Sequence, residues 1–265
     1  MVSHVKSSYV GTDLIRADLF LVEQGYAASR TQAQTMIAAG RVFADGKPIS
    51  KAAFKLDAQA EITITPDEVD RYVSRGGLKL AGALASARLD VSGMLALDVG
   101  ISTGGFTDCL LQAGARRVIG VEVGHDQLHP RLCSDSRVTQ FEGVNARNLT
   151  PEVIAPALID EPQDARVELI VGDVSFISLT LVLPALRSVL SVDGLLLFLV
   201  KPQFELGPQA LARGGIVRDE ALYPQVEAKI RAAAENAGFA VLDYFASPIA
   251  GGDGNREFFI YARAI

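Results

Sequence analysis

Apolar positions along the chain fall into two regimes. In residues 12–65 they are sparse and mixed with charge. "DLIRADLFLVEQGY" carries Leu14, Ile15, Leu19, Phe20, Leu21 and Val22, a spacing that predicts one helical face. Ser29 stands at a helix start ahead of "RTQAQTMIAAG", with Gly40 as the stop signal. "RVFADGKPIS" reads as strand, Asp-Gly turn, strand, and "AEITI" as a further short strand. Two helices and a few strands make a small α+β module.

From residue 71 onward, apolar runs alternate with amphipathic stretches. "LALDVG" (95–100), "RRVIGVEVG" (116–124), "RVTQFEGVN" (137–145), "VELIVGD" (167–173) and "GLLLFLVK" (194–201) predict five strands. "GFTDCLLQAGA" and "YPQVEAKIRAAAENAG" predict helices, and "FAVLDYFASPI" and "REFFIYARAI" two more strands joined through the glycine-rich "AGGDGN". Near-continuous apolar strands separated by helices indicate a parallel sheet covered on both faces. The last two strands, joined by a turn, are expected to add an antiparallel edge.

Composition adds little. At 265 residues, 49% hydrophobic and 21% charged, the chain suits one large domain or one medium domain with a small companion. No apolar stretch approaches the roughly 20 residues of a bilayer-spanning helix, and no secretory signal is expected at the start, which has no long apolar run or small-residue cleavage site. Cys109 and Cys133 stand far apart without a Cys-x-x-Cys, which disfavours a zinc site or disulfide framework and indicates a reducing, cytoplasmic setting. The net charge of −6 does not advertise nucleic acid. Locally the picture differs. Arg16, Arg30, Arg41, Lys47, Lys51 and Lys55 outnumber the acids of residues 12–55, and "RYVSRGGLK" adds Arg71, Arg75 and Lys79.

In an open α/β sheet, ligands gather beyond the carboxyl ends of the strands. Those ends hold Asp98 to Gly105, Glu122, Asn145, Asp173 and Lys201. "DVGISTGGF" (98–106) is a small-residue loop that opens a helix, where free N–H groups suit a polar ligand. It lacks the Gly-Lys-Ser/Thr of a P-loop, and Ser102 replaces the second glycine of a dinucleotide fingerprint. Glu122 ends the next strand, where a carboxylate accepts from both hydroxyls of a ribose. These features indicate a nucleoside-type cofactor, with NAD and S-adenosylmethionine both open.

"YVSRGGLKLAGAL", "LDVGISTGGFTDCLLQAGARRVIGVEVGHDQL", "DVSFISL", "KPQFE" and "NREFFIYA" resemble the TlyA family of haemolysin-named, S-adenosylmethionine-dependent rRNA ribose 2′-O-methyltransferases. The second half is similar to FtsJ/RrmJ-type enzymes, and residues 12–65 look like an S4 RNA-binding domain. The resemblance implies a Rossmann-like class I methyltransferase with a mixed seven-stranded sheet (76–265), preceded by the S4 module (12–65), a linker (66–75) and an extension (1–11). It implies a tetrad of Lys79, Asp173, Lys201 and Glu257. The cofactor contacts it implies are Asp98, Gly100, Ser102, Gly104, Gly105, Phe106, Glu122, Asn145 and Asp173. The cofactor is S-adenosylmethionine, no metal is needed, and the partner is rRNA or a ribosomal subunit, with no stable membrane association. Arg16, Arg30, Arg41, Lys47 and Lys51, with Arg71 and Arg75, are the candidates for gripping RNA phosphates.

The implied chemistry suits these residues. A ribose 2′-hydroxyl is a weak acid that must lose its proton as it attacks, so a base is required. Lys201 takes that role in this reading, with Lys79, Asp173 and Glu257 orienting it. Burial at the end of an apolar strand, a nearby Lys79 and the cofactor's sulfonium disfavour a charged amine, while the two carboxylates favour it. Glu257 also has a plainer partner in the adjacent Arg256. The expected activity is 2′-O-methylation of a cytidine in 16S and/or 23S rRNA. "MVSHVKSSYVGT" has one lysine and no arginine where some relatives are arginine-rich, which favours 23S alone. The rival classes are a membrane cytolysin and a non-catalytic RNA-binding assembly factor.

Overall fold

The computed structural model describes residues 14–27, 29–67, 70–159, 161–162, 165–252 and 254–265. The stretch 1–11, read above as an extension, lies outside the described residues, as do Glu68 and Val69 of the expected linker. The chain divides into two compact units, Met1–Glu68 and Val69–Ile265.

In the first unit, β1 (Ile15–Arg16) pairs antiparallel with β4 (Lys55–Leu56), and β2 (Val42–Ala44) lies between β3 (Lys47–Pro48) and β5 (Ile62–Ile64). Two helices, α1 (Ala17–Glu23) and α2 (Arg30–Ala38), complete it. Ser29 caps α2 by accepting from the Gln32 N–H at 3.2 Å. The helical face expected from residue 14 is shorter than its apolar pattern. Ile15 and Arg16 give their backbone to β4, α1 begins at Ala17, and Leu14 and Leu19 are exposed. Ala17, Phe20 and Leu21 form the buried face against Ala33, Met36 and Ile37.

The second unit is a seven-stranded sheet. Its strands are β6 (Leu95–Val99), β7 (Arg117–Val121), β8 (Val138–Phe141), β9 (Val167–Gly172), β10 (Leu190–Val200), β11 (Phe239–Ala246) and β12 (Phe258–Ala264). Their spatial order is β11-β12-β10-β9-β6-β7-β8. Strands β6 to β10 are parallel to their neighbours among themselves, whereas β12 runs antiparallel to both β10 and β11. The last two strands form the expected antiparallel pair at one edge, and within it β12 inserts between β10 and β11, so that β11 is the outermost strand.

The helices of this unit are α3 (Gly76–Ala87), α4 (Gly105–Gln112), α5 (Pro130–Cys133), α6 (Pro151–Ile154), α7 (Leu183–Val189), α8 (Pro202–Glu205) and α9 (Tyr223–Asn236). Alternate residues of β10 explain its unbroken apolar run. Leu196, Phe198 and Val200 join the core with α7 and α9, while Leu197 and Leu199 join the core with α3 and α4. Both faces are buried, so both registers must be apolar. The chain leaves β6 toward β7 and β8 on one side and returns as β9 on the other. That reversal opens a crevice beyond the carboxyl ends of β6 and β9.

Candidate active site

A cavity of about 1030 Å³ occupies that crevice. Its floor is the turn after β6. Gly100 has φ +82°, and a Cβ there would lie 2.8 Å from the Asp173 carbonyl oxygen, so only glycine lets the β6 and β9 ends close together. Gly105 opens α4 where a Cβ would collide with Ser74 Oγ and sit 3.0 Å from the Gly77 nitrogen. The segment ahead of α3 thereby comes into contact with the loop.

Glu122 follows β7 and is nearly buried. Its Oε2 accepts from the Ser102 N–H at 3.0 Å and its Oε1 from the Gly124 N–H at 2.9 Å. Both oxygens are fixed by backbone donors, which aims their remaining lone pairs at the cavity. Ser102 holds its turn at φ +46° and donates through Oγ to Gln127. Phe106 and Asn145 also line the cavity; Asn145 Oδ1 is engaged by the Arg147 N–H at 3.0 Å. Asp98 is a correction. Its carboxyl is buried under the loop, accepts from Thr107 Oγ1 at 2.7 Å, and does not line the cavity. Burial pushes its pKa up to about 7. Gly104, the N-cap of α4, likewise shapes the loop without lining the cavity.

The four charged residues singled out above converge at one side. Lys201 directly follows β10 and Asp173 directly follows β9. Lys201 Nζ lies 2.6 Å from Asp173 Oδ1 and donates to Ser175 Oγ at 2.8 Å. Lys79 on α3 sits 2.6 Å from Glu257 Oε2 and 3.7 Å from Asp173 Oδ2. Glu257 immediately precedes β12; because that strand is antiparallel, its start lies at the carboxyl ends of the others. Glu257 does not use its neighbour: Arg256 pairs with Glu220 at 2.9 Å. The Lys79 and Glu257 side chains are 10% and 3% exposed, and burial raises the Glu257 pKa against the opposing influence of Lys79. Two lysines and two acids thus meet at one side, with Asp173 shared between both lysines.

Phe176 is a cavity-lining residue that the sequence reading passed over, although it stands in "DVSFISL". It is 91% exposed at φ +62°, and its ring centroid lies 5.2 Å from that of Phe204. Such a backbone costs a bulky residue on the order of 1–3 kcal/mol. An aromatic held open to solvent at a cavity mouth offers a face for stacking.

The predicted phosphate-binding cations divide. Arg16 and Arg30 both pair with the fully buried Asp18, at 2.9 and 2.8 Å, and keep part of each guanidinium exposed. With Gln34 they hold the Asp18 carboxyl well below the usual carboxylate range, Arg16 contributing most. Lys47 and Lys51 are exposed. Arg41 is a correction: it is buried, and its Nε donates to the Thr65 carbonyl at 3.0 Å, so it serves the packing of the first unit. In the second unit, Arg71 is exposed over the Tyr72 ring and Arg75 lines the cavity. Among the described residues, no group of three or more His, Cys, Asp or Glu forms a metal site.

Residues 72–264 match the family model for FtsJ-like methyltransferases, and residues 15–62 match that for the S4 domain. The 16S/23S rRNA (cytidine-2′-O)-methyltransferase TlyA of Mycobacterium tuberculosis is 42% identical over 248 residues, which cover 94% of this chain and 89% of that protein. The chain belongs to the TlyA family. Hemolysin A of Brachyspira hyodysenteriae, another relative, is 36% identical over 92% of this chain and 98% of its own length. A solved hemolysin-named structure from Streptococcus thermophilus has a TM-score of 0.72 at 39% identity, covering 96% of this chain and 90% of that one.

As an FtsJ-like methyltransferase of this family, the protein takes S-adenosylmethionine as its methyl donor. The cavity fits that molecule. Its volume is that of a cofactor pocket, Gly100, Ser102, Thr103 and Gly105 of the turn after β6 line it, and the fixed Glu122 carboxylate faces it with acceptor oxygens suited to vicinal hydroxyls.

Proposed function

We propose that this enzyme methylates the 2′-hydroxyl of a cytidine ribose in rRNA, with large-subunit rRNA as the preferred substrate. The observation that carries the reading is the Lys201–Asp173–Lys79–Glu257 arrangement at the rim of the cofactor cavity. When bound, S-adenosylmethionine supplies a methyl group on a sulfonium whose positive charge disfavours another cation beside it.

The protein's share is positioning and proton handling. Asp173 and Ser175 hold Lys201 Nζ at the cavity wall. There the amine receives the hydroxyl proton, and Asp173 compensates the ammonium that forms. Lys79, pinned by Glu257, fixes the far oxygen of Asp173. Alignment of hydroxyl and methyl group contributes roughly 7–11 kcal/mol of barrier reduction. Phe176 supplies a stacking face for a base taken out of its helix, which presents the ribose to Lys201. Arg16, Arg30, Lys47 and Lys51 contact phosphates through the S4 unit, and Arg71 and Arg75 through the catalytic unit.

The test is ribose-methylation mapping of 16S and 23S rRNA, free and in subunits, after incubation with the protein and cofactor. A new 2′-O-methyl group on a cytidine is expected, and none on either rRNA would refute the reading. Lys201→Ala should lower the single-turnover rate by about a hundredfold or more while cofactor affinity is kept. RNA affinity should fall by a log–log slope of about −0.7 to −0.9 per phosphate contact as salt rises. The activity is assigned to the cytoplasm, where rRNA is found. The lytic names of some relatives suggest a second activity, which liposome leakage measures directly. Among the described residues no helix is long and apolar enough to cross a membrane.

A further inference from the structure

Directly after Lys201, α8 spans only Pro202–Glu205 and ends on an acid whose side chain is almost wholly buried. Three donors converge on it. Ser178 Oγ bonds Oε2 at 2.6 Å, the Leu179 N–H bonds Oε1 at 2.6 Å, and Lys229 of α9 reaches Oε2 at 2.9 Å. Lys229 also donates to the Glu205 backbone carbonyl at 2.7 Å. A buried carboxylate is costly unless paired and bonded, and an apolar residue would fill this space without that cost. The carboxylate makes a connection that an apolar residue cannot: it ties the loop after β9 to the helix after β10.

That loop carries the groups at the reacting end of the cavity. Asp173 pairs with Lys201, Ser175 accepts from Lys201, and Phe176 stands at the mouth. Phe176 keeps its left-handed backbone only if the chain is held on both sides. Upstream, the Asp173 N–H bonds the Val99 carbonyl at 3.1 Å. Downstream, Ile177 packs against the core, and Ser178 and Leu179 are the first residues held by hydrogen bonds described there, both to Glu205. Phe204, next to Glu205 in sequence, packs against the Phe176 ring.

We propose that Glu205 is a positioning residue: it locks the Asp173–Leu179 loop to the Lys201 strand end and so fixes Ser175 and Phe176 for the RNA substrate. Glu205 bonds neither Lys201 nor the turn after β6 in any bond described; it reaches the cavity only through Ser178 and Leu179, at the end of the loop that carries Phe176, so its removal is expected to act on RNA presentation more than on cofactor binding. The role rests on the methyltransferase reading above, and its test separates the two.

Glu205→Ala, Glu205→Gln and the milder Ser178→Ala are compared with the parent for S-adenosylmethionine affinity by calorimetry and for single-turnover rRNA methylation, with folding checked by circular dichroism. The chain has no tryptophan, so Phe176→Trp introduces a sole tryptophan, excited selectively over the tyrosines, whose anisotropy reports the mouth of the cavity. Expected for Glu205→Ala is a methylation rate lowered about tenfold to a hundredfold with cofactor affinity within about twofold of the parent. Glu205→Gln and Ser178→Ala should fall between, and anisotropy at position 176 should drop when Glu205→Ala is added to Phe176→Trp. If Glu205→Ala does not fold, the same comparisons in the other two variants decide. A parental rate in a folded variant, cofactor affinity that falls in step with the rate, or unchanged anisotropy would overturn the proposal. A parent that binds the cofactor and methylates no rRNA would refute the functional reading instead, and the anisotropy would still decide the role of Glu205.

Discussion

Replacing Lys79 with methionine leaves Glu257 as a buried carboxylate without its close partner, and the resulting instability should depend on pH. The two side chains are 2.6 Å apart, 10% and 3% exposed. Removing one partner of such a pair costs roughly 3–5 kcal/mol. Lys201 still favours the Glu257 charge from a distance, so the lower end, about 3 kcal/mol, is expected. In a domain of this size each kcal/mol moves the melting temperature by roughly 2–4 °C, giving a fall of about 6–12 °C in neutral or alkaline buffer. The sign of the pH dependence follows from burial, which raises the Glu257 pKa in the folded state. A carboxyl raised on folding binds more protons in the folded than in the unfolded chain, so stability falls as pH rises through that window. Losing Lys79 removes the chief opposing influence and widens the window upward. The cost of Lys79→Met should therefore be larger in alkaline than in acidic buffer, where Glu257 takes up a proton. Adding Glu257→Gln should recover most of the loss at the higher pH. Thermal unfolding of the parent, both single variants and the double variant provides the measurement. An equal loss at both pH values, or no rescue by Glu257→Gln, would refute the reasoning.

Three further outcomes follow from the same geometry. Asp98, raised to about 7 by burial, should make the parent lose up to roughly 4 kcal/mol as pH rises from about 4 to 7; Asp98→Asn should flatten that difference, and an unchanged profile would count against it. Glu122→Gln sets an amide N–H against the Ser102 or Gly124 N–H, so cofactor affinity measured by calorimetry should fall about tenfold or more. The depressed Asp18 carboxyl contributes stability above its unfolded pKa that is lost as pH falls through its folded pKa. Asp18→Asn should remove that acid dependence, loosen Arg16 and Arg30, and weaken RNA binding in a filter assay.

The catalytic unit is legible in the sequence because strand ends are local features. An apolar run that stops at Asp173 or Lys201 marks both a strand and its carboxyl end, and the order of elements then brings these ends to one crevice. Glu122 is legible for the same reason. What is not legible depends on partners distant in sequence. Nothing in "GRVFADG" says that the Arg41 side chain turns inward to the Thr65 carbonyl. Leu14 and Ile15 fit a helical spacing, yet the backbone demand of Lys55 and Leu56 makes Ile15 and Arg16 a strand. Asp98 looks like a ligand at the end of β6, but alternation within the strand and Thr107 take its carboxyl underneath. Phe176 and Glu205 stand in conspicuous motifs, but exposure in one and burial in the other are tertiary properties.

The position of β12 between β10 and β11 has a kinetic consequence. Strand β11 contacts the sheet only through β12, so neither can dock before the final strand is available. Until then, one long edge of β10, with "LLLFLV" along it, has no partner. Unpaired apolar edges are templates for pairing with other chains. Refolding should therefore be a race between insertion of the final strand and self-association, with a yield that falls as protein concentration rises. The same insertion brings Glu257 to Lys79, so this route to aggregation closes in the step that forms that ion pair.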